Sequence, residues 1–136
     1  GNVVSVLGLA YKPNTPVIEE SSSIRLVEEL LKINLKVMVY DELASDNAKI
    51  IFGDRILYSS SIKECFAASS TCVVTTMTEE FKKIDGRYVV NDPTTVIDCW
   101  RIIDPSGLGG KVKYISVGKS AEAVQEQPEE CVINSK

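Results

Sequence analysis

Residues 2–7, Asn-Val-Val-Ser-Val-Leu, set a nearly unbroken apolar run directly before Gly8. A strand that is apolar on both faces has no place in a sheet with one wet side. Such a run predicts a central strand of a parallel sheet covered above and below. The next periodic segment has a different repeat. Over residues 23–33, Ile24, Val27, Leu30 and Leu31 form one stripe, while Arg25, Glu28, Glu29 and Lys32 fall on the other side. That spacing is helical. The serines at 21–23 offer an N-cap. A second strand follows over 35–40 and ends at Asp41.

The alternation then repeats in shorter pieces. Residues 43–52 read as a helix closed by Gly53, 55–58 as a weak strand, and 61–68 as a short helix. Residues 72–76 form a β-branched strand and 78–84 a helix. Strands at 95–99 and 112–117 close the pattern, separated by the Pro/Gly-rich connection 104–110. Strands alternating with helices imply crossover units. The fold predicted is therefore α/β, a Rossmann-like doubly wound, mostly parallel sheet of about six strands in a single domain. The domain is expected to span 1–119. Residues 120–136 carry Glu122, Glu126, Glu129 and Glu130 with little apolar periodicity, and read as a tail or fraying helix.

Composition narrows the function classes. The chain has 136 residues and a formal net charge of −4, so it lacks the basic field that nucleic acid or anionic lipid requires. No run is long enough for a membrane span, and no signal-peptide pattern opens the sequence. Cys65, Cys72, Cys99 and Cys131 show no metal-ligand spacing, and the chain contains no histidine. No metal site is expected, and the reading is a reduced, cytoplasmic setting. Cys99 has no histidine to deprotonate it, so it reads as a structural thiol and no catalytic residue is assigned. Asp41 and Asp98, at strand ends, read as capping groups. The charges at 79–83 read as a solvated helix face, and Gly107, Gly109 and Gly110 as a connection rather than a phosphate loop. A phospho-acceptor receiver domain is excluded, because Gly8-Leu9 and Tyr58-Ser59 stand where acidic groups would be needed.

In such folds ligands meet the carboxyl ends of the strands, which directs attention to Gly8-Leu9-Ala10-Tyr11-Lys12-Pro13-Asn14-Thr15. The segment opens like a dinucleotide fingerprint and then departs from it. There is no third glycine, and Pro13 and Pro16 delay the helix. Asp41 lies 33 residues past Gly8, where about 20 is usual for a ribose-binding acid. The segment does offer one ammonium, one aromatic ring and backbone N–H groups beside a helix start. That set suits a phosphate attached to something flat or polar. The plainer alternative, a solvated Lys12 and a Tyr11 lidding the core, stays open.

Taken in order, these residues resemble a known family. Val4 to Thr15, followed by Glu20-Ser21-Ser22-Ser23-Ile24, is similar to the opening of the C-terminal domain of UDP-glucose/GDP-mannose-type dehydrogenases. That domain has a strand, Gly-Leu-Ala-Phe-Lys, a polar loop ending Arg-Glu-Ser, and an amphipathic helix. The likeness continues at Val37 to Asp41, at Thr76 to Phe81, at Val96-Ile97-Asp98 and at Tyr114 to Lys119. It covers residues 3–119 at the expected spacings.

The resemblance implies one domain of an enzyme that oxidises C6 of a UDP-sugar from alcohol to carboxylate. That enzyme works in two NAD-dependent steps through a thiohemiacetal on a cysteine that this chain does not contain. It implies UDP-uronic acids made for polysaccharide or cell-envelope synthesis. NAD is bound mainly by an N-terminal domain, the partners are the N-terminal and central domains, and the assembly is a homo-oligomer. Tyr11 and Lys12 match the family's substrate-contacting aromatic–lysine pair. Glu19 stands where the family has a cofactor-contacting arginine. Cys99-Trp100 stand where it has a substrate-contacting arginine after Asp-Gly, with Arg101 one place later. A one-residue shift at a strand end turns a side chain to the other face, which leaves three readings: Arg101 reaches the nucleotide from the loop, Trp100 stacks on uracil, or Trp100 is core. The resemblance therefore implies a UDP-sugar-binding domain that is inactive alone. The alternative is an assembly module that has lost its nucleotide contacts.

Overall fold

The computed structural model describes residues 3–10 and 21–117. The opening run forms β1, Val3–Leu7, and pairs on both sides, with β2 (Lys36–Tyr40) and with β4 (Thr71–Val74). Beyond β2 lies β3, Leu57–Tyr58, and beyond β4 lie β5, Thr94–Asp98, and β6, Val112–Ser116. The order is β3-β2-β1-β4-β5-β6 with every pairing parallel. This is the doubly wound Rossmann-like architecture expected, with its topological switch between β1 and β4.

Four helices complete the described chain: α1 (Ser22–Lys32), α2 (Ser45–Phe52), α3 (Ile62–Ala68) and α4 (Glu79–Lys82). Their apolar faces build two cores. On one face Val27 of α1 and Ala48 and Phe52 of α2 bury Val6, Val37 and Val39. On the other, Cys65 and Phe66 of α3, Phe81 of α4, Ile103 and Leu108 cover Leu7, Met38, Cys72, Val74 and Val96. Each fully buried Leu, Val or Phe contributes about 1.5–3 kcal/mol, so both layers are needed to hold so apolar a sheet. Ser5, the polar residue inside the first run, is buried but satisfied. Its hydroxyl donates to the Cys65 carbonyl oxygen (3.1 Å) and accepts from the Ser69 hydroxyl (2.9 Å).

Where element boundaries differ from the sequence reading, side-chain caps explain the shift. The Asp41 carboxylate takes the N–H groups of Leu43 and Ala44, so α2 starts at Ser45 rather than at 43. Arg55 falls in a short 3₁₀ turn, Gly53–Arg55, which leaves β3 only two residues. The helix expected over 78–84 shrinks to α4. Thr78 caps it, and the chain re-coils at Gly86–Tyr88 under an Asp85 cap. Part of the 104–110 connection is likewise a 3₁₀ turn, Pro105–Gly107, capped by Asp104. The expected tail at 120–136 lies outside the described residues.

Candidate functional site

The carboxyl ends of β1, β2, β4 and β5 converge at one rim. Gly8 leaves β1 with φ of +107°, a left-handed value that favours glycine, and an added Cβ would collide with the Thr76 hydroxyl. Thr75 staples the switch: its N–H donates to the Leu7 carbonyl oxygen, and its hydroxyl donates to those of Gly8 (2.6 Å) and Leu7 (3.0 Å).

Asp41 occupies the next position along the rim. Its Oδ2 accepts from the N–H groups of Leu9 (2.8 Å) and Ala10 (3.2 Å), and its Oδ1 from those of Leu43 (3.0 Å) and Ala44 (2.9 Å). This corrects one expectation. The backbone donors at the start of the Gly8 loop are not free for a phosphate; an internal carboxylate holds them. Asp41 is a capping group, as anticipated, and it caps two segments at once.

Beside it lies a cavity of about 240 Å³, lined by Ala10, Asp41, Glu42, Thr76, Glu79 and Glu80 among others. Four carboxylates at one mouth repel phosphate. Here the expected solvated face at 79–83 is only partly so. Glu79 pairs with Lys82 in the open, but Glu80 turns inward and accepts the Tyr40 hydroxyl at 2.7 Å. Burial and then the Glu80 carboxylate push the Tyr40 hydroxyl above its ordinary range. The residues present do not suit the pyrophosphate of NAD at this place.

A second groove, about 350 Å³, runs between α1 and the ends of β4, β5 and β6. Among the described residues, Ser22, Ser23, Leu26, Thr75, Cys99, Trp100 and Val117 line it, and none of these is a carboxylate. Ser22 and Ser23 belong to the first turn of α1, which contains no acidic residue, so the positive end of the helix dipole meets the groove. The Trp100 indole N–H donates to the Thr75 carbonyl oxygen at 2.9 Å, and 39% of the residue is exposed. Trp100 is therefore not core.

Asp98, fully buried at the end of β5, sets this arrangement. It accepts the N–H groups of Trp100 (3.2 Å) and Ile103 (2.9 Å) and the Tyr114 hydroxyl (2.8 Å). The turn it holds gives Trp100 to the groove, while Arg101 follows, exposed, at φ of +57°. Arg101 lies near enough to Tyr114, on the opposite core, for its charge to act on that hydroxyl.

The three described thiols are held toward their neutral form. Burial pushes Cys65 up to about 11 and Cys72 up to about 12, and burial plus the Asp98 charge raises Cys99. Among the described residues no group of three His, Cys, Asp or Glu side chains is placed to hold a metal ion, and no helix is long and apolar enough to cross a membrane. Tyr11, Lys12 and Glu19 lie outside the described residues. The sequence reading missed Thr75 and Thr76 as parts of the rim. Their only local signal was a threonine pair closing a β-branched strand.

A doubly wound sheet with nucleotide-scale grooves at its carboxyl rim defines a nucleotide-binding α/β domain. The comparisons make this specific. Residues 5–105 match the UDP binding domain of the UDP-glucose/GDP-mannose dehydrogenase family, and the chain belongs to that family. It is 36% identical over 103 residues to a UDP-glucose 6-dehydrogenase of Haloferax volcanii, covering 76% of this chain and 24% of that protein. It is 30% identical over 129 residues to one of Rickettsia felis, covering 91% and 29%. A solved UDP-glucose dehydrogenase from Pyrobaculum islandicum superposes with a TM-score of 0.70 at 24% identity, covering 87% of this chain and 25% of that one. The chain spans about a quarter of the length of these relatives.

Proposed function

We propose that this domain supplies the UDP-binding half of a nucleotide-sugar 6-dehydrogenase. Its partners would be N-terminal and central domains that bind NAD and carry the catalytic cysteine. The observation that carries the reading is the groove at Trp100. Among the described residues it is a crevice on the rim that combines a helix N-terminus, hydroxyls and an indole, with no carboxylate in its described lining. Diphosphate is favoured there and disfavoured at the Asp41–Glu80 mouth. Tyr11 and Lys12 would add an aromatic edge and an ammonium to the bound UDP, the latter contributing about 1–3 kcal/mol. Trp100 would flank the base, and Arg101 would approach from the outer side of the turn. Glu19, acidic where relatives of this type carry a cofactor-binding arginine, would add nothing to NAD affinity.

The chain's own residues bind and orient; they do not transfer hydride or form a thioester. NAD, when bound by the other domain, accepts the hydride. The whole enzyme would make UDP-uronic acids for envelope or polysaccharide synthesis, in the cytoplasm, as a homo-oligomer. Calorimetric titration of the chain with UDP tests the binding half. A saturable heat by millimolar ligand, weakened in Lys12→Ala, is expected. Silence from both proteins would contradict the reading, as would NAD reduction by this chain alone.

A further inference from the structure

We propose that the cavity at the ends of β1, β2 and β4 binds a primary alkylammonium, a ligand that the nucleotide reading does not require. Its wall mixes two kinds of surface. Asp41, Glu42, Glu79 and Glu80 bring four carboxylates to about 240 Å³ of space, and Ala10, Leu43 and Phe81 bring apolar groups. Among the described residues, the ion pairs give this cluster one ammonium, Lys82 on Glu79 at 2.9 Å, and Glu42 has no hydrogen bond or ion pair. Burial first, and then the charges of Glu80, Glu42 and Asp41, raise the Tyr40 hydroxyl above its ordinary range. Three of the four carboxylates therefore act at one point.

Carboxylates alone would make a solvated patch. Thr76 makes this a cavity with an open acceptor. It lines the same space and is 6% exposed, and its hydroxyl has no hydrogen bond among the described residues. The neighbouring hydroxyls are engaged: Thr75 donates to Leu7 and Gly8, and Thr78 caps α4. A buried hydroxyl without a partner is destabilising, and a donor entering the cavity would relieve it. The acceptors then decide the ligand class. Among the described residues no three acidic side chains are placed to hold a metal ion, and an anion is repelled. Asp41 contributes charge alone, since backbone N–H groups hold both its oxygens. An ammonium has three donors and no acceptor. Those donors match the acceptors left open: Glu42, the Thr76 hydroxyl and Glu80, which gives Tyr40 only its Oε2. An alkyl stem would lie along Leu43, 49% exposed beside the carboxylates, as the stem of a lysine lies on apolar surface.

Titration calorimetry of the whole chain at low ionic strength, with UDP absent, tests the site independently of the nucleotide reading. The probe is pentane-1,5-diamine. A saturable one-site heat is expected at about 1 mM, with none from pentane-1,5-diol. Glu42→Gln should weaken binding about tenfold, and Lys82→Gln, which frees Glu79, should tighten it about threefold. Thr76→Val keeps the side chain's shape and should weaken binding about threefold, which diffuse attraction to surface charge would not do. If Thr76→Val does not fold, Thr76→Ala is read in its place. Nα-acetyl-lysine methylamide binding as tightly as the diamine supports the site and assigns the ammonium to a partner's lysine; binding of the diamine alone supports it and assigns a free amine. Equal heats from diamine and diol, an unchanged affinity in the Thr76 variant, or tighter binding of magnesium chloride at matched ionic strength would each overturn the proposal.

Discussion

The Trp100 indole N–H and the Thr75 carbonyl oxygen meet at 2.9 Å, tying the turn after β5 to the end of β4. Thr75 passes the tie on, because its hydroxyl donates to the carbonyl oxygens of Leu7 and Gly8 at the end of β1. Three strand ends are joined by two side chains at the rim where the ligand groove opens. Thr75→Val keeps the shape and removes the hydroxyl. It should cost about 1–2 kcal/mol, measured as a lower urea midpoint with an unchanged slope.

Tyr114 and Asp98 give a second prediction. Tyr114→Phe leaves a fully buried carboxylate with one donor fewer, and it should destabilise by about 1–3 kcal/mol at pH 7. The effect depends on pH. Burial, then the hydrogen bond to Asp98, raise the Tyr114 hydroxyl above its ordinary range, and burial with Glu80 does the same for Tyr40. The folded state therefore keeps protons that the unfolded chain releases above about pH 10. The stabilisation from these hydroxyls is complete below that pH and is lost as pH rises past it. Denaturant titrations from pH 8 to 11 should show stability falling at the alkaline end, less steeply in Tyr40→Phe/Tyr114→Phe.

Gly8 cannot be replaced without repacking. An added methyl group meets Thr76, at a backbone φ of +107° that already disfavours side chains. Gly8→Ala should cost about 2–4 kcal/mol, read as a loss of melting temperature. Thr76→Ser in the same protein removes one of the colliding carbons and should recover part of that loss, leaving the backbone strain.

Much of the fold was legible because it is written in local repeats. The six strands follow from apolar and β-branched runs, and α1 from a clean stripe of Ile24, Val27, Leu30 and Leu31. Legibility failed where a distant side chain set the boundary. The spacing at 43–52 looks helical throughout, yet Asp41 caps its first two donors and delays α2. β3 dwindled because the Gly53–Arg55 3₁₀ turn occupies the start of the expected strand.

The site was legible in its chemistry and hidden in its geometry. That the Gly8 loop departs from a dinucleotide fingerprint could be read from Tyr11, Pro13 and Pro16. That Asp41 takes the N–H groups of Leu9 and Ala10 could not, since the contact spans more than 30 residues. Nor could the place of Trp100 be read without the Asp98 turn, which leaves the indole lining the α1 groove.

Trp100 is the chain's single tryptophan, so its indole N–H gives one isolated resonance in a ¹⁵N-edited spectrum. Titration with UDP should move that resonance together with the amides of Ser22, Ser23 and Val117, saturating with one dissociation constant. Shifts confined to Glu42, Glu79 and Glu80, or no shift anywhere at millimolar UDP, would contradict the assignment of the nucleotide to the groove beside α1.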